Sequence, residues 1–321
     1  MPYRFEFRPY QRRFKRPLQT SKGSWHLRQG IILRLTDETG RASWGEIAPL
    51  SWFGSETLEQ ALAFCRQLPT EITAETIFSI PTVLPTCQFG FESAGEALTN
   101  GNESRGEKLT PNTLTYSGLL PAGEAALHQW QMLWNQGYRT FKWKIGVASI
   151  QDELKIFHQL IQALGATAQL RLDANGGLSW QEANEWLQAC EPVGIEFLEQ
   201  PLPVDRFDAM LELSDRYTTQ LALDESVATL DELEASYQLG WRGVFVIKPC
   251  IAGSPSRLCQ FCREHDIDAV FSSVFETPIG RQAALKLAVE LSRHNRAVGF
   301  GINHWFDEDD ETWLEHIWND L

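Results

Sequence analysis

The sequence predicts an α/β fold in which a parallel barrel follows a smaller α+β region, and three observations predict it. Short apolar runs recur near residues 114–118, 139–145, 168–172, 195–198, 220–223, 244–247, 269–272 and 297–299. Amphipathic stretches lie between most of them, such as DELKIFHQLIQAL (152–164), QEANEWLQA (181–189) and RQAALKLAVELSRH (281–294). The first hundred residues show no such cycle. Strand then helix, repeated roughly every 25 residues, is the pattern of a parallel barrel. A doubly wound sheet is the runner-up, but GLLPAG at 118–123 does not have the form of a glycine-rich phosphate fingerprint.

Within the first hundred residues, IILRLTD (31–37) reads as a strand, DETG as a turn and RASWGE as a second strand. A helix begins near Ser55, with Thr57 or Ser55 as its cap and Leu58, Ala61, Leu62 and Cys65 at helical spacing. The basic run RPYQRRFKRP is expected to be a solvated stretch, and so is the acidic run DEDDE at 307–311. The polar, turn-rich segment NGNESRGEKLTPN (100–112) is the expected boundary between a region at 1–100 and a barrel at 101–300.

A chain of 321 residues can bury a large core, and its formal net charge of -14 argues against a nucleic-acid surface. No charged leader precedes an apolar segment and no run is long enough for a membrane span, so no membrane role is expected. Six cysteines in this length do not read as a disulfide framework, and Cys259 with Cys262 reads as a core pair. Cytoplasm is the expected compartment.

The chemistry lies where the apolar runs end. FKWKIG places Lys142 and Lys144 on one face of a strand, and buried ammonium groups need partners. From Lys144, the steps to Asp173, Glu199, Asp224 and Lys248 are 29, 26, 25 and 24 residues. Each step is about one strand–helix unit, which gathers these side chains at the carboxyl mouth of the barrel. Each acid alone has a local explanation: Asp173 in a turn with Asn175 and Gly176, Glu199 bracing Pro201, Asp224 or Glu225 capping a helix near Ser226. Together, three carboxylates on adjacent inner positions repel unless a cation joins them. Oxygen donors without His or Cys form a hard site, for Mg²⁺ or, as substitute, Mn²⁺. Lysines on both sides of such a site predict proton abstraction next to the carboxylate of a small-molecule substrate.

With these residues in place, the chain resembles the enolase superfamily, in its muconate-lactonizing-like branch. That branch carries K-x-K on the second barrel strand, matched by Lys142 and Lys144. Its Asp–Glu–Asp metal triad is matched by Asp173, Glu199 and Asp224, and its sixth-strand Lys by Lys248. The resemblance implies a modified (β/α)7β TIM-type barrel, an α+β capping domain over 1–100, and a segment at 301–321 that returns to the cap. Within the branch the chain is most similar to the o-succinylbenzoate synthases of menaquinone and phylloquinone synthesis, Mg²⁺-dependent lyases. In that family SKGSWHLRQG (21–30) corresponds to a mobile loop placing Arg28 near the substrate. SSVFETPIG (272–280) corresponds to a seventh-strand segment, with Ser272, Ser273 and Thr277, whose small residues and amides receive a carboxylate. The resemblance further implies that Lys144 is the base and then the acid, Lys248 a cation on the opposite ring face, and Lys142 a tuning group. Asn175 and Glu225 would brace the ligands. Glu46 in WGEIAPL would belong to the cap facing the site, and Trp52 and Phe53 to lid or core.

Three rival readings remain at this level. Dipeptide epimerases and N-succinylamino acid racemases of the same superfamily use two opposed lysines, and a cycloisomerase shares the enolate. A non-catalytic binding or scaffold relative is the reading from a different class. The sequence leaves open whether the chain is a monomer or a homo-oligomer.

Overall fold

The computed structural model describes residues 2–20, 23–99 and 114–301, with residues 306, 313 and 317. The turn-rich segment 100–112 and the DEDDE run lie outside the described residues.

The N-terminal region is an antiparallel sheet with helices on one face. Its elements are β1 (Pro2–Thr20), β2 (Gly23–Thr36), β3 (Ala42–Ile47), α1 (Leu58–Gln67), β4 (Glu71–Thr73), α2 (Ala74–Phe78) and α3 (Pro85–Thr99), with strand order β3-β2-β1-β4. Alternation builds the core: Tyr3 and Phe5 on β1 and Ile31, Leu33 and Leu35 on β2 share a face with Ala61, Cys65, Ile77, Phe91 and Ala94. Thr57 caps α1 in a reciprocal box with Gln60, as the sequence predicts. β3 runs directly against α3, since a Cβ on Gly45 would stand 2.0 Å from the Gly90 carbonyl oxygen. Only glycine permits that approach.

Two expectations change here. Residues 23–30 are not a loop; they extend β2, paired with β1 out to Thr20↔Gly23. The reason is apolar: Trp25, Leu18 and Phe14 pack together with Phe306 and Phe275, giving the hairpin arm a buried face. Nor is the basic run wholly solvated. Arg12 is 3% exposed and its guanidinium lies over the rings of Phe306 (4.1 Å) and Trp313 (4.7 Å). Phe306 also bridges Phe14 in antiparallel fashion, and Trp313 meets Tyr10 edge-on at 5.1 Å.

The second region alternates strand and helix, with two helices between its sixth and seventh strands. It runs β5 (Ser117–Leu120), α4 (Ala126–Asn135), β6 (Thr140–Lys144), α5 (Ile150–Leu164), β7 (Gln169–Asp173) and α6 (Trp180–Cys190). It continues with β8 (Phe197–Glu199), α7 (Phe207–Arg216), β9 (Leu221–Leu223), α8 (Leu230–Gln238) and β10 (Val244–Ile247). Then follow α9 (Pro249–Ala252), α10 (Pro255–Glu264), β11 (Ala269–Phe271) and α11 (Pro278–Leu291). The strands form one parallel sheet in the order β11-β10-β9-β8-β7-β6-β5. Residues 298–299 join its two edges, Val298 bridging Tyr116 beside β5 and Gly299 bridging Ser272 beyond β11, both parallel. The sheet thus closes as a (β/α)7β barrel.

Ser or Thr residues cap several of the helices that follow strands, with reciprocal boxes at Ser179–Glu182 and Thr229–Glu232. Strand residues facing outward, such as Phe141, Trp143, Leu172 and Phe245, join the helices in the largest core. Inward ones, Phe197, Ala222, Val244, Val246 and Val270, fill the barrel itself. An ionic floor lies below them. Buried Arg171 donates to Glu196 at 2.7 Å and to the Ala297 carbonyl at 2.7 Å, while Arg296 donates to Glu196 at 2.8 Å and Asp268 at 2.6 Å. Among the described residues no helix is long and apolar enough to cross a membrane.

Candidate active site

The inward side of each strand end can be read from register. Lys144 stands opposite Asp173, and Asp173 opposite Glu199. Asp224 directly follows β9, and Lys248 follows β10. Because neighbours in register share a face of the sheet, the residues spaced through the sequence collect at the carboxyl mouth. β6 and β10 are separated by three strands in a ring closed by residues 298–299, so Lys144 and Lys248 approach from opposite walls.

The two groups of lysine differ in company. Lys142 Nζ is 2.6 Å from Glu199 Oε1 and 2.8 Å from Asp173 Oδ2. Burial opposes its charge, but Asp173, Glu199 and Asp224 outweigh burial and raise its pKa, so it is an ammonium. Lys248 pairs with Asp224 and lies 4.1 Å from the centre of the Phe53 ring. Lys144, by contrast, makes no hydrogen bond or ion pair with any described residue and is only partly buried.

The carboxylates carry opposite shifts. Burial, and then the charge of Asp173, push the Glu199 pKa well up. Asp173 is held below the usual range: burial works the other way, but the Lys142 charge and hydrogen bond, and the Asn175 amide at 3.0 Å, prevail. Glu225 is pushed up to about 7 by burial first and by Asp224 and Asp173 next. Asn175, at φ 44°, donates Nδ2 to Glu225 Oε1 at 3.2 Å, while Glu225 Oε2 is buried with no hydrogen-bond partner. The local reading holds for Asp173, whose Oδ1 accepts from the Asn175 amide, but not for Asp224. Asp224 precedes a short 3-10 turn without capping it, so its side chain is left to the site.

Among the described residues no three Asp, Glu, His or Cys side chains enclose a metal position; the ammonium groups of Lys142 and Lys248 stand between the carboxylates. The donors still fit a hard divalent cation. They are all oxygens, they sit on adjacent strands, and Glu199, buried and beside Asp173 and Asp224, has its pKa pushed up first by burial and then by those charges, which a divalent cation would offset.

The residues expected around the substrate separate. Arg28 is 1% exposed and donates to the carbonyls of Gln29, Ala48 and Pro49 at 2.5–2.9 Å; it ties the cap together rather than facing the mouth. Ser273 donates to Glu276, and the Thr277 amide and hydroxyl are taken by Glu46. The amides of Ser272, Ser273, Val274, Phe275 and Thr277 all have partners within the chain: the first two donate to the carbonyls of Ile247 and Gly299, Phe275 to the Ser273 hydroxyl, and Val274 and Thr277 to the buried carboxylates of Glu276 and Glu46. Ser272, inward and beside Gly299, keeps its hydroxyl without a described partner.

Sequence reading missed Leu119. It registers with Lys142 on the inner face, since a Cβ on neighbouring Gly118 would instead meet Leu133 on α4, and it is 54% exposed. Its only signal was a leucine at the end of an apolar run. Phe53 and Trp52 roof the Lys248 side, with Trp52 in edge contact with both Phe53 and Trp25. An open hollow of about 350 Å³ at the carboxyl ends of α4 and α5, lined by Trp130, Trp134 and Leu164, is at the other end of the barrel.

A barrel mouth carrying K-x-K, Asp, Glu, Asp and Lys on successive strands beneath an α+β cap defines a class. Residues 125–317 match the enolase C-terminal domain-like family, and residues 10–98 match the MenC N-terminal domain. The chain belongs to the enolase superfamily, in its muconate-lactonizing-like branch. Among its relatives is the o-succinylbenzoate synthase of Thermosynechococcus vestitus, 42% identical over 307 residues that cover 94% of this chain and 93% of that one. The crystal structure of the o-succinylbenzoate synthase of Thermosynechococcus elongatus BP-1, with Mg in its active site, superposes with a TM-score of 0.89 at 40% identity, covering 99% of this chain and 100% of the other. The L-Ala-D/L-Glu epimerase of Bacillus subtilis shares the fold, with a TM-score of 0.77 at 20% identity and coverage of 95% and 91%.

Proposed function

We propose that the chain is an o-succinylbenzoate synthase, a Mg²⁺-dependent lyase that dehydrates 2-succinyl-6-hydroxy-2,4-cyclohexadiene-1-carboxylate to 2-succinylbenzoate, a step of menaquinone or phylloquinone synthesis. The observation that carries it is Lys144, an inward lysine without a partner among the described residues, set against carboxylates on three neighbouring strands and a second lysine across the mouth. Full-length likeness to the o-succinylbenzoate synthase of Thermosynechococcus strain BP-1, in sequence and in crystal structure, supports the choice within the branch.

Asp173, Glu199 and Asp224 would hold Mg²⁺, which supplies positive charge for the substrate carboxylate as negative charge builds on it. Lys144 Nζ takes the proton from the carbon bearing the ring carboxylate, and the electron pair of that C–H bond passes into the enediolate. The same ammonium then returns its proton to the departing hydroxyl. The C–O bond breaks, water leaves and the ring becomes aromatic, so one lysine serves as base and acid in turn. Lys248 steadies charge from the opposite face, and Lys142 stays protonated between Asp173 and Glu199 and holds them in place. Leu119 offers the ring an apolar wall, and Ser272 a donor for a carboxylate. The free thiols suit a reducing compartment, and we place the enzyme in the cytoplasm.

Absorbance of the aromatic product, followed with Mg²⁺ and then with EDTA, tests the reading. Fast metal-dependent formation supports it. The opposed lysines also suit an epimerase or racemase, so silence from folded, Mg²⁺-loaded protein would move the reading there. Exchange of an α-proton with deuterated solvent is then the expected signal.

A further inference from the structure

Glu46 belongs to β3 of the cap, is 0% exposed, and spends its carboxylate on the barrel. It accepts from the Thr277 amide at 2.9 and 3.0 Å, from the Gly280 amide at 3.0 Å, and from the hydroxyls of Thr277 and Tyr10. Those amides belong to the cap and first turn of α11, where unsatisfied donors and the helix dipole favour an anion. The segment before them, residues 272–277, begins at Ser272 on the barrel mouth. It is held in an uncommon shape. Phe275 has φ 60°, and Glu276 turns back to accept from Ser273 and from the Val274 amide at 2.7 Å. The Phe275 ring meets Phe14 at 5.5 Å and Trp25 at 5.6 Å, and Trp25 meets Trp52, next to the Phe53 ring over Lys248.

We propose that Glu46 is a positioning residue for the reaction: it fixes the segment 272–277 against the cap and thereby sets the place of Ser272 and of the aromatic roof, governing substrate affinity without entering proton transfer. The inference rests on the dehydratase reading for its kinetic consequence and on geometry alone for its structural one.

Two variants test it. Glu46→Gln keeps the size but replaces one acceptor oxygen with a donor amide that faces backbone N–H groups. Gly280→Ala adds a Cβ 2.7 Å from Glu46 Oε2, in a helix where alanine is otherwise favoured over glycine. Both are expected to raise KM about tenfold or more while kcat stays within about threefold, a split that a purely structural tie would not give in protein kept well below its Tm. Hydrogen exchange of residues 272–280, which needs no substrate, is expected to speed up in both variants while the β6–β8 amides stay protected. Should Glu46→Gln fail to fold, Gly280→Ala decides. Unchanged KM together with unchanged exchange in folded Gly280→Ala overturns the proposal. A wild type inactive on the hydroxycyclohexadiene carboxylate overturns the dehydratase reading instead, and the exchange result then decides the positioning role by itself.

Discussion

Lys142 and Glu199 are joined by a 2.6 Å ion pair across adjoining regions of the barrel wall, from β6 to the end of β8, with Asp173 of the intervening strand 2.8 Å from the same ammonium. The pair ties the first of the two lysines on β6 to the carboxylates of the next two strands. One ammonium stands among carboxylates, and burial first, then the charges of Asp173 and Asp224, shift Glu199 upward.

Mg²⁺ is therefore expected to stabilise the folded protein. At a hundredfold excess over Kd the gain is about 2.7 kcal/mol, read as a rise in Tm that EDTA reverses. Glu199→Gln without metal should be as stable as the wild type or more so, because a costly buried charge is gone, and its Tm should no longer respond to Mg²⁺. A Tm response equal to that of the wild type would remove Glu199 from the ligand set.

Lys144→Ala is expected to lower kcat/KM by at least about 10³ while the urea midpoint barely moves, since the side chain makes no bond to a described residue. Lys144→Ala at full rate would sink the base assignment. Solvent deuterium exchange into substrate should vanish in parallel with turnover.

Leu119→Ala should cost less in stability than a core truncation, because the side chain is more than half exposed. Its effect is expected in KM, raised roughly threefold to tenfold as the apolar wall recedes from the ring. Unchanged kinetics would place the ring elsewhere in the mouth.

The phenol of Tyr10 provides a pH signature. Burial first, then the charge of Glu46, raise its pKa well above the ordinary value. An acid raised on folding contributes stability that is complete below the unfolded pKa of about 10 and is lost as pH climbs toward the folded one. Tyr10→Phe should thus cost about 1–3 kcal/mol at pH 8 through the lost donor to Glu46, and the gap to wild type should narrow above pH 10. Urea midpoints from pH 8 to 11 read it; parallel curves would refute the buried phenol.

At the foot of the barrel, Arg171→Ala should destabilise by about 3–5 kcal/mol, since it leaves Glu196 short of a partner in a buried network that also secures the Ala297 carbonyl next to the closing segment. The protein that remains folded should keep its KM, because the Arg171 guanidinium is spent on Glu196 and the Ala297 carbonyl, one inward layer below Asp173.

Much of this was legible along the chain because barrel geometry is periodic. A strand–helix unit of nearly constant length converts spacing in sequence into neighbourhood in space, so Lys142, Lys144, Asp173, Glu199, Asp224 and Lys248 could be placed at one mouth before any coordinate was known. Capping chemistry is equally local, and Thr57 announced α1. What the sequence by itself did not determine depends on partners far away in the chain. Arg28 reads as a substrate contact until the carbonyls of Ala48 and Pro49 claim it, and Thr277 reads as a carboxylate binder until Glu46, 231 residues earlier, proves to be that carboxylate. Burial decides such cases: a polar group removed from water must be satisfied by whatever the fold brings to it, and only the tertiary structure specifies what that is.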